Sequence, residues 1–363
     1  MLKRHKSITR EQIAVDPGSH YTRIYSALTG TVLTQPSVGL LDLDSQFPGK
    51  VDLFGDRAVD QVNRQDAEHE NQYVHRYRLT RPVQSDQHND LGLRLQMLRH
   101  FIQQWQQSAH TKKQLEVSLV IPHDCDDTTS REWAQTCIAS GAVKVELIPS
   151  ALASFHGVLD SHNPASSSEP QVVIDLGGTE SRLIAIVDNK IVQHLPLACG
   201  GDTIDDAIRT GIYESFGLII SDDVTQSIKH NIAAATPDSL VQHSNQSMQI
   251  SGLSIQNNAS ARISIDTNTI SQILKRTLYN LHYSIRLAFA SLDPDIKDAA
   301  YQSAIQLCGG GAQLSRIDQL VMHATDLPVE IVNRPTTCSV RGAAAIAATP
   351  KANAKLPEIP EIA

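Results

Sequence analysis

The 363-residue sequence predicts an α/β protein of two lobes, each a sheet flanked by helices. Two observations carry that expectation. A strand, an Asp-x-Gly turn and a returning strand occur near the start and again in mid-chain, so the chain holds two copies of one design. Short apolar strands also alternate with stretches of helical apolar spacing, the order that suits a parallel sheet covered by helices.

In chain order, Ile13-Ala14-Val15 is the first strand, closed by Asp16-Pro17-Gly18-Ser19 and resumed from Thr22 to Ser26. Leu91, Leu95, Leu98, Ile102 and Trp105 recur at helical spacing and predict one buried face. Leu115 to Ile121 is a strand stopped by Pro122, and Thr129 to Ser140 the next helix, with Thr128 or Thr129 as its cap. The polar run from His162 to Pro170 has no periodic apolar face and marks a boundary. The expected organisation is a basic tail over residues 1–12, a first lobe over 13–160, a linker over 161–170, a second lobe over 171–348 and a disordered tail over 349–363. The second lobe opens with the strand Gln171 to Asp175, the turn Gly177-Gly178-Thr179 and the returning strand Leu183 to Val187. Helical spacing returns over Thr203 to Phe216, Ile270 to Leu292 and Leu314 to Ala324, while Ile305 to Cys308 is a short strand running into Gly309-Gly310-Gly311.

Composition narrows the partners. A formal charge of −8 gives no general basic field, so nucleic acid is not an expected partner. Five cysteines without CxxC spacing argue against a zinc site or a disulfide framework and read as reduced thiols in a cytoplasm. No apolar run reaches the length of a membrane span, and the basic start Met1 to Lys6 lacks the apolar stretch of a signal peptide. That start has few apolar anchors, so it reads equally as a solvated tail or a weak contact with anionic lipid.

A strand–Asp-x-Gly–strand turn points backbone N–H groups into a tight concave bend, which binds phosphate oxygens without side-chain charge. An aspartate at the strand end can hold Mg²⁺ against those phosphates, which makes Asp16 and Asp175 the metal candidates. One such turn is a common hairpin sequence; two, each opening half of the chain, point to a nucleotide. Gly309-Gly310-Gly311 reads by itself as a strand-to-helix turn, and such a run could also let a base or ribose approach the backbone closely.

The chain resembles the bacterial actin homologue MreB, within the actin, Hsp70 and sugar-kinase superfamily, from about Ile13 to Ala347. The segments that carry the resemblance are Asp16-Pro-Gly-Ser-His-Tyr-Thr-Arg-Ile-Tyr25, Val32-Leu-Thr-Gln-Pro-Ser-Val38, Gly200-Gly-Asp-Thr-Ile-Asp-Asp-Ala-Ile208 and Ile228-Lys-His-Asn-Ile232. Leu307-Cys-Gly-Gly-Gly-Ala-Gln-Leu-Ser-Arg-Ile-Asp318 and the closing run from Leu327 to Gly342 extend it. The resemblance implies an actin-like ATPase fold with a ribonuclease-H-like sheet in each lobe, and ATP with Mg²⁺ in the cleft between lobes. It implies Asp16, Gly18, Ser19, His20 and Thr22 in a first phosphate loop, and Asp175, Gly177, Gly178 and Thr179 in a second. Gly200, Gly201 and Asp202, with Gln226 and Lys229, would form the adenosine-side wall, and Gly309, Gly310 and Gly311 would lie against the nucleotide. A cytoplasmic filament of identical subunits follows, acting in rod shape and wall synthesis at the inner face of the membrane, with a related MreB and wall-synthesis proteins as further partners.

The departures from the family bear on chemistry. The glutamate that positions the attacking water, seven residues beyond the proline that ends the strand, is here Thr129. A hydroxyl is no carboxylate base, so hydrolysis should be slow. Asp126, Asp127 and Glu132 lie nearby and read either as stand-ins for that glutamate or, by preference, as caps of the helix N-terminus. Glu180 stands in the second phosphate turn, where it would repel a triphosphate unless it faces solvent or Mg²⁺. Two other functions fit the same fold: a nucleotide-independent adaptor of MreB filaments, and a small-molecule kinase suggested by Asp175-Leu-Gly-Gly-Thr-Glu-Ser-Arg182.

Overall fold

The computed structural model describes residues 9–30, 32–43, 51–68, 77–83, 91–161, 170–235 and 246–349. The expected basic start up to residue 8, most of the expected linker (162–169) and all but the first residue of the expected tail lie outside these. Contacts divide the chain into two compact units, one made of residues 1–69, 73–163 and 337–363, the other chiefly of 164–336.

The first unit is built on β1 (Arg10–Pro17), β2 (Tyr21–Tyr25), β3 (Val32–Pro36), β4 (Gly39–Asp42), β5 (Val51–Phe54), α1 (Asp56–Glu68), β6 (Tyr77–Thr80), α2 (Leu91–Ser108), β7 (Gln114–Ile121), α3 (Asp127–Ala139), β8 (Ala142–Pro149) and α4 (Ser150–Ser161). Its main sheet has the order β3-β2-β1-β7-β8. The β1–β2 and β2–β3 pairs are antiparallel; β1–β7 and β7–β8 are parallel. Strand alternation sends Ile13, Val15 and Ile24 to one face, where they meet the apolar side of α2 in a shared core. That side is made by Leu93, Met97, Leu98, Phe101, Ile102 and Trp105, whereas Leu91, expected on the buried face, is 38% exposed. The helix is thus rotated from the expected stripe, because Leu93, Met97 and Phe101 form a second apolar row at i, i+4, i+8. The cap of α3 is Asp126, whose carboxylate accepts the Thr129 N–H at 2.7 Å, and not Thr128 or Thr129. A carboxylate is favoured there because it also meets the positive end of the helix dipole. The small sheet β5-β4-β6 had no counterpart in the sequence reading.

The second unit repeats the plan with β9 (Gln171–Leu176), β10 (Ser181–Val187), β11 (Lys190–Leu197), α5 (Gly201–Phe216), β12 (Leu218–Ile219), α6 (Asp222–Asn231), β13 (Ser247–Ser254), β14 (Ala259–Asp266), α7 (Thr267–Ala290), α8 (Pro294–Ala300), β15 (Ile305–Cys308), α9 (Ile317–Thr325) and β16 (Val329–Ile331). Its sheet order β11-β10-β9-β15-β16 matches the first sheet strand for strand, antiparallel at one end and parallel at the other. The apolar stripe of α7 (Ile270, Leu274, Leu278, Leu281, Ile285) lies in the core of this unit. The helix expected from Leu314 starts at Ile317, since residues 310–313 form a 3₁₀ turn and Arg316 adopts left-handed backbone at φ 62°.

The last helix, α10 (Cys338–Ala348), belongs to the first unit, not to the second lobe to which the sequence assigned residues through 348. It packs on α4 and on the β1 and β7 side of the first sheet. A Cβ on Gly342 would lie 1.8 Å from the Ala153 carbonyl oxygen, and one on Gly157 would lie 2.0 Å from the Cys338 oxygen, so only glycines let these helices meet. Among the described residues no helix is long and apolar enough to cross a membrane.

Candidate nucleotide-phosphate site

In the first unit the β1–β2 turn is a short hairpin, with Asp16 opposite Arg23 and Pro17 opposite Thr22. Gly18 permits the tight return: a Cβ there would meet the Tyr21 carbonyl oxygen at 2.9 Å. Asp16, Gly18, Ser19 and His20 are half-buried, at the end of the strand as expected. Ser37, just after β3, braces the turn. Its hydroxyl donates to the Gly18 carbonyl at 2.6 Å, lies 2.8 Å from the Thr22 hydroxyl, and its N–H donates to the His20 carbonyl at 2.9 Å. Thr22 is 1% exposed, so the side chain expected among the phosphate ligands is engaged inside the fold. Ser37 lies in the segment Val32 to Val38, and its place in the sequence carries no sign of this bracing role, which depends on the hairpin folding back beside β3.

Arg23 points to the same face of the hairpin as Asp16 and Tyr21, and its guanidinium carbon lies 5.4 Å from the centre of the Tyr21 ring. Burial pushes its pKa below the ordinary arginine value, and the Asp16 charge acts in the opposite direction.

In the second unit the same hairpin recurs, with Asp175 opposite Arg182. A Cβ on Gly177 would meet the Glu180 carbonyl oxygen at 2.2 Å. The start of α5 docks on this turn: the Gly201 N–H donates to the Gly177 carbonyl at 3.0 Å, the Asp202 N–H to the Gly178 carbonyl at 2.9 Å, and the Thr179 hydroxyl to the Asp202 carboxylate at 3.0 Å. Gly200 makes that approach possible, because a Cβ there would be 2.3 Å from the Gly178 oxygen. Gly309, at φ 85°, brings its backbone so close to Asp175 that a Cβ would lie 2.4 Å from the carboxylate. Gly311 backs onto Leu176, while Gly310 has nothing within 4 Å of an added Cβ. The structure thus brings together Asp175, Gly177, Gly178, Thr179, Gly200, Gly201, Asp202 and Gly309.

Gln226 and Lys229, expected in the adenosine-side wall, both meet Asp205. The Gln226 amide donates to the Asp205 carboxylate at 2.5 Å, and the Lys229 ammonium lies 2.8 Å from the other oxygen of that carboxylate. Asp205 is only 2% exposed, so its charge is held by these two partners from α6. Asp205 was missed, though it sits in the segment Gly200 to Ile208; a second carboxylate three residues after Asp202 was the available signal. Glu180 forms an ion pair with Arg182 at 2.7 Å, and its side chain is half exposed, which offsets the negative charge expected at this turn. Thr129, half-buried at the third position of α3, gives its N–H to Asp126 and brings no carboxylate to the helix start.

Strand-end carboxylates are the donor type Mg²⁺ prefers, and tight glycine bends between strands can turn backbone N–H groups toward phosphate oxygens. The residues present therefore fit a metal–nucleotide ligand.

Known proteins resemble this chain throughout its length. The cell shape-determining protein MreB of Escherichia coli K12 is 25% identical over 343 residues, 94% of each chain. The crystal structure of MreB5 of Spiroplasma citri bound to ADP superposes with a TM-score of 0.79 at 20% identity, covering 93% of this chain and 96% of the other. A MamK double helical filament gives 0.71 at 16% identity, covering 93% and 99%. These likenesses establish an actin-like fold of two lobes. The family model described as MreB/Mbl protein matches residues 10–355, and the chain belongs to that family.

Proposed function

We propose that this protein is an ATP-binding member of the bacterial actin cytoskeleton that assembles head to tail into filaments and acts in cell shape and wall synthesis, with weakened hydrolysis. The observation that carries the nucleotide part is the duplicated hairpin: one Asp-x-Gly turn in the same position of two sheets of the same order. Relatives known as cell shape-determining proteins, and structural neighbours holding ADP or forming a filament, support the rest. Asp16 and Asp175 would hold Mg²⁺, the turns would offer N–H groups to the phosphates, and Gly309 would keep the backbone beside Asp175 low enough for a ligand. Bound Mg²⁺ would neutralise phosphate charge. Thr129 lacks the acceptor that orients a water for attack, so ATP would be held longer than it is turned over. A head-to-tail contact that does not close on itself yields a filament.

Sedimentation with and without Mg-ATP, with phosphate release followed in the same sample, tests the reading. Pelleting at micromolar concentration, alone or with a related filament, with little phosphate released is the expected result. Turnover without filaments would indicate a small-molecule kinase, and a nucleotide-blind monomer would indicate an adaptor. Asp16→Ala and Asp175→Ala should each weaken Mg-ATP binding in calorimetry, and unchanged affinity in both would remove the two-turn site.

A further inference from the structure

The two hairpins share one register, and one of the positions at which they differ decides what the arginine of each meets. Each has an arginine seven residues after its aspartate and directly across the strand pair: Arg23 opposite Asp16, Arg182 opposite Asp175. Five residues after the aspartate the hairpins diverge. In the second unit that position is Glu180, which pairs with Arg182 at 2.7 Å. In the first it is Tyr21, whose ring carries the Arg23 guanidinium at 5.4 Å. A ring face holds a cation in place without neutralising it. The Arg23 Nε is moreover buried with no hydrogen-bond partner among the described residues. A buried N–H of an ionised group left without an acceptor is costly, and a bound ligand is one way to complete it.

We propose that Arg23 is a phosphate ligand of the first hairpin, giving N–H groups of its guanidinium fork to the phosphate oxygens of a bound nucleoside di- or triphosphate. The assignment rests on the ATP-binding reading above. The planar fork matches phosphate oxygens two at a time, and the guanidinium stays charged at any pH where the protein is folded. The side chain lies on the Asp16 face of the strand pair and leans back over Tyr21 toward the turn that would hold the phosphates. It sets a positive charge beside the Asp16 carboxylate, at a turn whose backbone supplies only dipoles. This hairpin then keeps part of its nucleotide affinity when the divalent metal is removed, whereas the second, with its arginine already paired, does not add to that residual affinity.

The test is the affinity of the full chain for ADP and ATP, by calorimetry, in excess Mg²⁺ and again in EDTA. Wild type is expected to bind in both, more weakly in EDTA. Arg23→Leu should lose about tenfold or more in EDTA, the usual scale for a charge-assisted hydrogen bond, and less in Mg²⁺. Arg23→Lys, which keeps the charge and loses the fork, should fall between wild type and Arg23→Leu. Arg23→Gln serves in place of leucine if the apolar variant does not fold, with the same loss expected. Binding by Arg23→Leu or Arg23→Gln at wild-type strength in EDTA overturns the role of Arg23 while leaving the ATP site intact. Absence of binding by wild type even with Mg²⁺ overturns the ATP reading and this inference with it.

Discussion

Replacing Gly342 by alanine tests the docking of α10. The added Cβ would lie 1.8 Å from the Ala153 oxygen and 2.4 Å from the Gly157 nitrogen, both backbone atoms that cannot swing aside. Restoring ordinary van der Waals distance requires α10 to back away from α4 by roughly 1.5 Å, and overpacking of this kind costs about 1–3 kcal/mol, sometimes more. Against it stands the better helix propensity of alanine, up to ~1 kcal/mol. The balance is a loss of roughly 1 kcal/mol, which in a unit of this size lowers the melting temperature by about 2–4 °C. Calorimetric melting of Gly342→Ala beside Gly92→Ala gives the comparison, since Gly92 lies in α2 where an added Cβ meets nothing within 4 Å. Gly92→Ala should melt at or slightly above wild type. A Gly342→Ala protein that melts no lower than wild type would refute the argument that glycine pins these helices together.

Other outcomes follow from the same structure. Asp205→Asn should destabilise by roughly 3 kcal/mol, because it leaves the Lys229 ammonium without its carboxylate in a nearly closed setting; an unchanged melting temperature would show the pair to be dispensable. Burial lowers the His156 pKa below its ordinary value, so the unfolded chain binds more protons just below pH 6.5 and stability falls on acidification through that range. His156→Gln should therefore lose less melting temperature between pH 7 and pH 5 than wild type does, and equal losses would exclude His156 as a source. Restoring a carboxylate by Thr129→Glu should raise phosphate release by ~10-fold or more at unchanged ATP affinity; a variant that binds ATP and turns it over no faster would show that something else limits hydrolysis.

What was legible in the sequence was local. The two Asp-x-Gly hairpins announced themselves because turn chemistry and strand alternation act over a handful of residues, and α5 and α7 because their apolar stripes are long. Where two patterns competed the outcome shifted: Leu93, Met97 and Phe101 displaced Leu91 from the buried face of α2, and Asp126 took the cap from its threonine neighbours. The partners of Thr22, Gln226 and Lys229 could not be read from the chain, because Ser37 and Asp205 are brought in by tertiary packing. Return of α10 to the first unit was likewise invisible, since an alanine-rich helix carries no mark of which sheet it will cover. Glu180 shows the converse: its presence was plain, but that Arg182 two residues on would pair with it depended on the side chains meeting on one strand face.

The path of α10 also orders the protein's synthesis. The second unit is drawn almost wholly from one continuous stretch, 164–336, so it can close its core as soon as that stretch has left the ribosome. The first unit cannot. Its strands β1 and β7 emerge early, yet the helix that packs against their side of the sheet is made some two hundred residues after β7, and until then apolar surface beside Ala14 waits uncovered. The nascent chain thus spends the making of its second half with every strand of the first sheet in place but its last helix still to come, the interval in which a chaperone would be of most use.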